Sequence, residues 1–282
     1  MAVRAIFERL VDDAAVFPPG NAPVERAVVE HLAGREAWYA PVVGPLVVRD
    51  SQLAAVATAL RPTSDSCTVS VVNTSGAGGL LALARRRADA VTVVAVESAL
   101  RDVDDLPGNA RRVVAAAGEL DPEVTVFVEL PYAPGWPAAA AVVEEAGHLA
   151  KIRTGGLTPD DVPAPAQLAD QLSVLVEADL AFKATAGLHH AWPTWGPWAG
   201  EELVQHGFLT LLIAVHALVE GADAADAADI LRWSDRGQIA DTVAGWNDAD
   251  AARVRRRFRS FGCCGVTDPV TDLETLGLLR KP

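Results

Sequence analysis

Short apolar runs alternate with amphipathic segments along nearly the whole chain. Eight of these runs have the length and composition of buried strands, and segments with a helical period of 3.6 residues separate them. The predicted strands are residues 14–17, a segment within 38–48, 68–72, 90–96, 124–128, 149–152, 182–184 and 259–261. Strands that alternate with helices pair in parallel, and eight is the number that closes a barrel. The pattern therefore predicts the α/β class, a (β/α)8 TIM barrel, with residues 1–282 as one domain.

The predicted helices complete this alternation. Ser51 is a typical N-cap residue for the helix that follows the second strand. Helices are expected from about residue 23, at 52–60, 80–87, 108–120, 137–146, 164–178, 201–220 and 269–278, with an irregular helical stretch at 224–257. We find no internal repeat and no segment with the composition of a linker.

Lysine is rare in this chain, and its positions are informative. Lys281 lies near the end of the sequence, whereas Lys151 and Lys183 each lie in a predicted strand that ends at a glycine turn. Burial of an ammonium group is costly and usually lowers its pKa. A lysine with a lowered pKa is a nucleophile that can form a Schiff base with a carbonyl compound. The alternative is that codon usage has replaced most lysines with arginine and left these two by chance.

Composition narrows the class of protein. Half of the residues are hydrophobic, which is enough for a large core, and the net charge of −13 argues against a nucleic acid partner. The three cysteines have neither the number nor the spacing of a disulfide framework or a zinc site. Charged residues come before the first apolar run, and no run is long enough to cross a membrane. We therefore expect a cytoplasmic protein without a signal peptide, metal, cofactor or membrane partner.

Active sites of such barrels lie at the C-terminal ends of the strands. The polar residues that the predicted strands place there are Asp12 or Asp13, Asn73, Thr92, Glu97, Glu129, Lys151, Arg153, Thr154, Lys183, Thr185, Cys263 and Cys264. Two neighbouring ammonium groups depress each other's pKa, so one of them is expected to be neutral and nucleophilic. Glu129 would orient the pair or shuttle protons, or would only neutralise a buried lysine. Arg153 would hold a substrate carboxylate or phosphate, or would form an interior ion pair.

Two histidines follow the glycine turn after the seventh strand. His189 and His190 are adjacent, so their side chains point in different directions, and a substrate contact or acid/base role is favoured over a shared metal. The next residues, 191–198, contain three tryptophans between prolines. This loop is predicted to be a stiff lid, an oligomer contact or a segment packed on the barrel rim.

The two lysine strands resemble those of the deoxyribose-phosphate aldolase family of class I aldolases. That family has Lys-Thr-x-Thr-Gly in strand six and Phe-Lys-x-x-Gly-Gly in strand seven. Residues 151–155 here are Lys-Ile-Arg-Thr-Gly, and residues 182–187 are Phe-Lys-Ala-Thr-Ala-Gly. Weaker similarities extend the resemblance from end to end of the barrel, at 13–18, 88–100, 126–129 and 261–265.

The resemblance implies roles for individual residues. Lys151 would form the Schiff base, and Lys183 would be the second lysine that tunes it. The family's proton-relay aspartate falls at Thr92, so Glu97 or Glu129 would replace it, or the reaction would differ. The glycine pair that helps to hold phosphate becomes Gly187-Leu188, and the serines of strand eight become cysteines. These departures imply a substrate other than deoxyribose phosphate.

The sequence thus predicts an aldolase-type lyase that acts on a small carbonyl compound and forms a Schiff base. The expected catalytic residues are Lys151, Lys183 and Glu129. The expected substrate contacts are Arg153, Thr154, Thr185, His189, His190, Glu97 and Cys263. One alternative is a cofactor-free lyase or isomerase that uses Glu129 and a histidine, with the lysines as electrostatic stabilisers. The other is a non-catalytic relative that binds a small anionic metabolite. A homo-oligomer is compatible with each of these hypotheses.

Overall fold

A closed barrel of eight parallel strands organises the chain, in a computed structural model that describes residues 4–63, 65–85, 90–195 and 204–281. The strands in chain order are β1 (Val11–Asp13), β2 (Val43–Arg49), β3 (Cys67–Asn73), β4 (Val91–Ala99), β5 (Thr125–Glu129), β6 (Leu149–Arg153), β7 (Phe182–Thr185), β8 (Thr194–Trp195), β9 (Val204–Gln205) and β10 (Phe258–Cys263). Strands β8 and β9 form a separate antiparallel pair, and β10 closes the barrel between β7 and β1. The predicted (β/α)8 fold is confirmed.

The helices lie between the strands, as the alternation predicts. They are α1 (Val24–Gly34), α2 (Leu53–Leu60), α3 (Gly76–Ala84), α4 (Leu106–Ala117), α5 (Trp136–Glu145), α6 (Pro165–Glu177), α7 (Phe208–Val219), α8 (Ala224–Ile230), α9 (Arg236–Ala244), α10 (Asp248–Arg257) and α11 (Thr267–Thr275). The irregular stretch 224–257 is three short helices, because Asp223, Asp235 and Asn247 each cap a new N-terminus by accepting backbone N–H groups. Within the described residues, no helix is both long enough and apolar enough to cross a membrane.

The first strand differs most from its prediction. It was expected at residues 14–17, but it is Val11–Asp13, and all three of its residues are buried. The error has a physical cause, since two consecutive aspartates argue against a buried strand unless both carboxylates have partners. Here Asp12 contacts Lys183, and Asp13 lies 3.0 Å from Nδ1 of His31 on α1.

Two predicted helices also differ at their ends. The helix expected at 201–220 begins at Phe208, because residues 204–205 form strand β9 instead, and residues 201–203 lie outside the described part. The helix expected at 80–87 begins at Gly76 and ends at Ala84, while residues 86–89 lie outside the described part.

Strand register brings three charged residues into one transverse row. Glu129 of β5 lies opposite Lys151 of β6, which lies opposite Lys183 of β7. Their side chains share the inner face of the barrel, whereas the alternate residues, such as Val128 and Ile152, join the apolar layer. The register therefore sets the position of the ionisable groups before any helix packs on the barrel.

Candidate active site

The two lysines that the sequence singles out meet inside the barrel. Both are buried, and Lys183 is the more enclosed, with only 1% of its surface exposed. Their ammonium groups bind different oxygens of Glu97, with Lys151 Nζ 2.8 Å from Oε2 and Lys183 Nζ 2.7 Å from Oε1. Glu97 thus bridges β6 and β7 from its place on β4.

Each lysine also has a second carboxylate partner. Lys151 Nζ lies 2.9 Å from Glu129 Oε2, and Lys183 Nζ lies 2.5 Å from Asp12 Oδ2. The five residues Asp12, Lys183, Glu97, Lys151 and Glu129 therefore form a continuous series of alternating charges, here called the ion-pair chain. Every link is short enough for a charge-assisted hydrogen bond.

Two serines support the carboxylates of the ion-pair chain. Ser70 Oγ donates to Glu97 Oε1 at 2.7 Å, and Ser260 Oγ donates to Asp12 Oδ2 at 2.8 Å. The sequence pattern predicts neither serine, and it places Asp12 near the first strand without a role. A lone hydroxyl residue within an apolar strand is the signal that could have found them, because a buried hydroxyl requires a partner.

The expectation of a lowered lysine pKa is wrong. Burial lowers the pKa of Lys151, but its attraction to Glu97 and Glu129 outweighs this effect and raises the pKa above its ordinary value. For Lys183, the attraction of Asp12 and Glu97 likewise outweighs burial and raises the pKa. Repulsion between the ammonium groups is the smaller effect, so both lysines are positively charged in this structure.

The pKa values of the two buried carboxylates, Glu97 and Asp12, shift in opposite directions. Burial raises the pKa of Glu97, but two ammonium groups more than compensate and hold its pKa well below the usual range. Burial raises the pKa of Asp12, and the single ammonium group of Lys183 only partly offsets it. Glu97 is therefore more firmly ionised than Asp12.

A cavity of about 690 Å³ contacts the ion-pair chain at the C-terminal ends of the strands. The charged side chains in its lining are Glu97, Arg101, Glu129, Lys151, Arg153, Lys183 and Asp268. Apolar walls come from residues such as Phe17, Val47 and Leu157. Its volume is within the range of sites for small molecules. The cavity is thus where the sequence analysis expects the site.

Arg153 and Thr185 line this cavity, as predicted. Arg153 Nη1 lies 3.9 Å from Glu129 Oε1, and its Nη2 donates to the Gly155 carbonyl at 3.4 Å. Both distances are long, and 49% of the Arg153 side chain is exposed. The guanidinium group is therefore available to a ligand.

Thr154 and Cys263 were expected to contact substrate, but their polar atoms face the protein. Thr154 is fully buried, and its hydroxyl donates to the Ala186 carbonyl at 2.6 Å. The Cys263 thiol is buried and donates to the Gly265 carbonyl at 3.3 Å, and burial raises its pKa. The neighbouring residue, Cys264, follows the end of β10 and lines the cavity instead.

Both predicted histidines line the cavity, with different surroundings. Burial lowers the pKa of His189, whose Nδ1 is 3.8 Å from Cys263 Sγ and 3.9 Å from Cys264 Sγ. His190 is anchored by Asp272, whose Oδ2 lies 3.1 Å from its Nδ1. The lowered pKa keeps the imidazole of His189 neutral at neutral pH.

The tryptophan loop contributes to the same wall. Trp195 lines the cavity although 67% of its surface is exposed, and Trp192 stacks on His190 at a centroid distance of 6.4 Å. Trp198 lies outside the described residues. Trp192 is thus packed on the barrel rim, whereas Trp195 is not, and the lid and the oligomer contact stay predictions.

Thr92, where the resemblance puts the relay aspartate, is exposed near the start of β4. Glu97 lies five residues further along the same strand and faces inward. The carboxylate between the lysines is thus supplied by β4, but nearer its C-terminal end.

In the described part of the chain, no group of three or more His, Cys, Asp or Glu side chains forms a candidate metal site. The carboxylates that face the barrel interior are already bound by ammonium groups. No protein-family model matches the chain, and comparison with curated proteins finds no significant match.

Proposed function

We propose that this chain is a class I aldolase-type lyase in which Lys151 forms a Schiff base with a small carbonyl compound. The observation that carries the proposal is that two buried lysines share the Glu97 carboxylate beside a cavity of small-molecule size. The resemblance of both lysine strands to those of an aldolase family supports the same reaction.

Lys151 is the better placed of the two nucleophiles. Lys183 is enclosed between Asp12 and Glu97, and both of those carboxylates are also buried. Lys151 has Glu129 as its second partner, and 17% of the Glu129 side chain is exposed. A carbonyl compound that enters the cavity therefore reaches Lys151 through the side that Glu129 borders.

Lys151 must lose a proton before it can attack. Glu129 is the acceptor proposed here, because its oxygen is 2.9 Å from Nζ and it is the more open of the two carboxylate partners. Lys183 remains an ammonium ion and keeps Glu97 ionised. The role of Lys183 is thus electrostatic.

The reaction then balances without an oxidant or reductant. The neutral Nζ forms a bond to the carbonyl carbon, one of its protons moves to the carbonyl oxygen, and protonated Glu129 returns its proton to the same oxygen, which leaves as water and gives a protonated imine. A base then removes the proton of a hydroxyl group on the β carbon, two carbons from the imine carbon. The bond between the α and β carbons breaks, the β carbon leaves as an aldehyde or ketone, and the bonding electrons neutralise the imine to form an enamine. The enamine is protonated at carbon, and water releases the product and regenerates Lys151. Glu129 and the neutral His189 are candidates for the base.

The raised pKa values of both lysines favour a second candidate function. Two permanent ammonium groups would stabilise an enolate electrostatically while Glu129 removes a proton from carbon. In that case the protein is a lyase or isomerase without a covalent intermediate.

Borohydride trapping separates these two candidates. The protein is incubated with a panel of small aldehydes and ketones, reduced, digested and analysed by mass spectrometry. The aldolase proposal expects a reduced adduct at Lys151 that the Lys151→Arg variant does not form, with Lys281 as an internal control for unselective reaction. Proton exchange into a bound ketone without any adduct at Lys151 would favour the second candidate and exclude the first.

A further inference from the structure

Two arginines line the cavity nearer to its mouth than the ion-pair chain. Arg153 follows Lys151 by two residues on β6, so the two side chains share the inner face. Arg101 follows Ala99 by two residues, and Ala99 lies opposite Glu129 in the register. Two residues along a strand correspond to about 7 Å. Both guanidinium groups therefore lie one layer nearer the cavity mouth than Lys151.

The two arginines are poorly matched within the protein. Among the described residues, the Arg101 guanidinium has no hydrogen bond or ion pair, and only its backbone N–H is bound, by Asn109. Arg153 has the two long contacts with Glu129 and Gly155. By contrast, Arg112 on α4 binds Asp102 at 2.7 Å. Two cavity-lining guanidinium groups with no described carboxylate oxygen closer than 3.9 Å are available for an anionic ligand.

The charge of the site favours a single negative charge on that ligand. The cavity lining contains four cations, Lys151, Lys183, Arg101 and Arg153, against three carboxylates, Glu97, Glu129 and Asp268, and Asp12, which binds Lys183, is the fourth carboxylate. The formal charges of these side chains therefore cancel before a ligand binds. A carboxylate adds one negative charge to this balance, whereas a phosphate adds nearly two at neutral pH.

Another possible anion site nearby is already filled by the protein itself. In the loop after β6, Asp161 Oδ2 accepts hydrogen bonds from the backbone N–H groups of Leu157 and Thr158, each at 2.9 Å. An anion on those N–H groups would have to displace this carboxylate. The arginine pair is therefore the better-supported anion subsite.

We infer that Arg101 and Arg153 form a carboxylate subsite, so that the natural substrate is a small oxo acid whose carbonyl carbon meets Lys151. This inference rests on the proposed function and adds the substrate class to it. Glu129 sets the spacing, since its two oxygens face Lys151 and Arg153, respectively. A ligand with a short carbon chain can therefore place its carbonyl carbon at Lys151 and its carboxylate at Arg153.

Trapping with matched compounds tests the inference. The oxo acid 4-oxobutanoate is compared with butanal, which has the same chain length without the charge, and with glycolaldehyde phosphate as the phosphate arm. The concentration that gives half of the maximal adduct at Lys151 should be about tenfold lower, or more, for the oxo acid than for butanal. The Arg101→Gln and Arg153→Gln variants should remove this advantage of the oxo acid over butanal. Arg112→Gln is the matched control and should change nothing.

A second measurement keeps the two proposals distinguishable. Butanoate has a carboxylate and no carbonyl group, so its calorimetric binding reports on the subsite without imine formation. Adducts that form equally well with butanal and the oxo acid, in wild type and variants alike, would overturn the subsite and leave the lyase proposal standing. Arginine-dependent binding of butanoate without any adduct would overturn the lyase and keep the subsite. Preferential, arginine-dependent trapping of the phosphate would show that the subsite holds phosphate instead.

Discussion

Lys151 and Lys183 lie opposite each other on adjacent strands, yet their ammonium groups are held apart by binding separate oxygens of one carboxylate. The negative charge of Glu97 lies between the two ammonium groups, so its attraction to both outweighs their mutual repulsion. Together with Asp12 at Lys183 and Glu129 at Lys151, this contact raises the pKa of both lysines, although burial alone would lower it. It also makes Glu97 the one member of the ion-pair chain that neutralises both buried ammonium groups.

Replacement of Glu97 by glutamine should destabilise the protein by about 3–5 kcal/mol, because two buried ammonium groups lose a shared counter-charge. Glu129→Gln is the matched control, since Glu129 contacts Lys151 only and is partly exposed. The loss of unfolding free energy in Glu129→Gln should be clearly smaller than in Glu97→Gln. Denaturant unfolding of both variants measures the difference, and equal costs would mean that Glu97 holds no special position.

Stability at alkaline pH should depend on Lys183. Its pKa is raised above the unfolded value of 10.5, so its contribution is fully present below that pH and is lost as the pH rises through the higher folded pKa. The stability difference between wild type and Lys183→Met should therefore be constant near neutrality and shrink above about pH 10.5. Denaturant titrations across that range test this. Lys281→Met should be indistinguishable from wild type at every pH, because Lys281 is exposed.

The pH dependence of imine trapping should report on the electrostatic role of Lys183. The charge of Lys183 lowers the pKa of Lys151, so its removal should raise that pKa and shift the trapping profile towards higher pH. Asp12→Asn combined with Lys183→Met removes the buried pair together and avoids an uncompensated aspartate. Lys183→Arg retains the charge and should leave the profile near that of wild type. Adducts at Lys183 would reverse the assigned roles.

Thr154 should prove to be a structural residue. Its hydroxyl binds the carbonyl of Ala186, which has a positive φ of 66° and begins the turn after β7. Thr154→Val removes the donor and should cost about 1–3 kcal/mol in unfolding free energy, while Thr154→Ser should retain most of it. Trapping at Lys151 should show the same saturating concentration in the serine variant as in wild type. A marked rise for Thr154→Ser would restore a direct substrate contact.

Most of the barrel could be predicted because its strands are apolar and its helices periodic. Strand β1 could not, since Asp12 and Asp13 belong to a buried strand only through partners more than ten residues away in the sequence. A local pattern contains no information about such partners. The same reason explains why the segment 14–17, which is apolar but forms a turn, was mistaken for the strand.

The residues of the site also divide into those that could be predicted from the sequence and those that could not. Lys151, Lys183 and Glu129 could be placed from sequence, because the parallel register brings the ends of neighbouring strands to one level. The bridge by Glu97 could not, because β4 is two strands away from β6 around the barrel. The predicted direction of the lysine pKa shifts is therefore wrong, since burial and mutual repulsion both lower the pKa and the attraction of Glu97 is not visible in the sequence.

The ion-pair chain also limits how this sequence can change over evolutionary time. Asp12, Lys183, Glu97, Lys151 and Glu129 come from five different strands, and each is neutralised by the next. A single substitution leaves a neighbour charged and without its counter-ion, so a compensating change must arise on another strand. Among relatives of this chain, we expect these five positions to vary jointly or to stay fixed. Covariation of these five positions would identify relatives that share this barrel interior, even where overall sequence similarity is low.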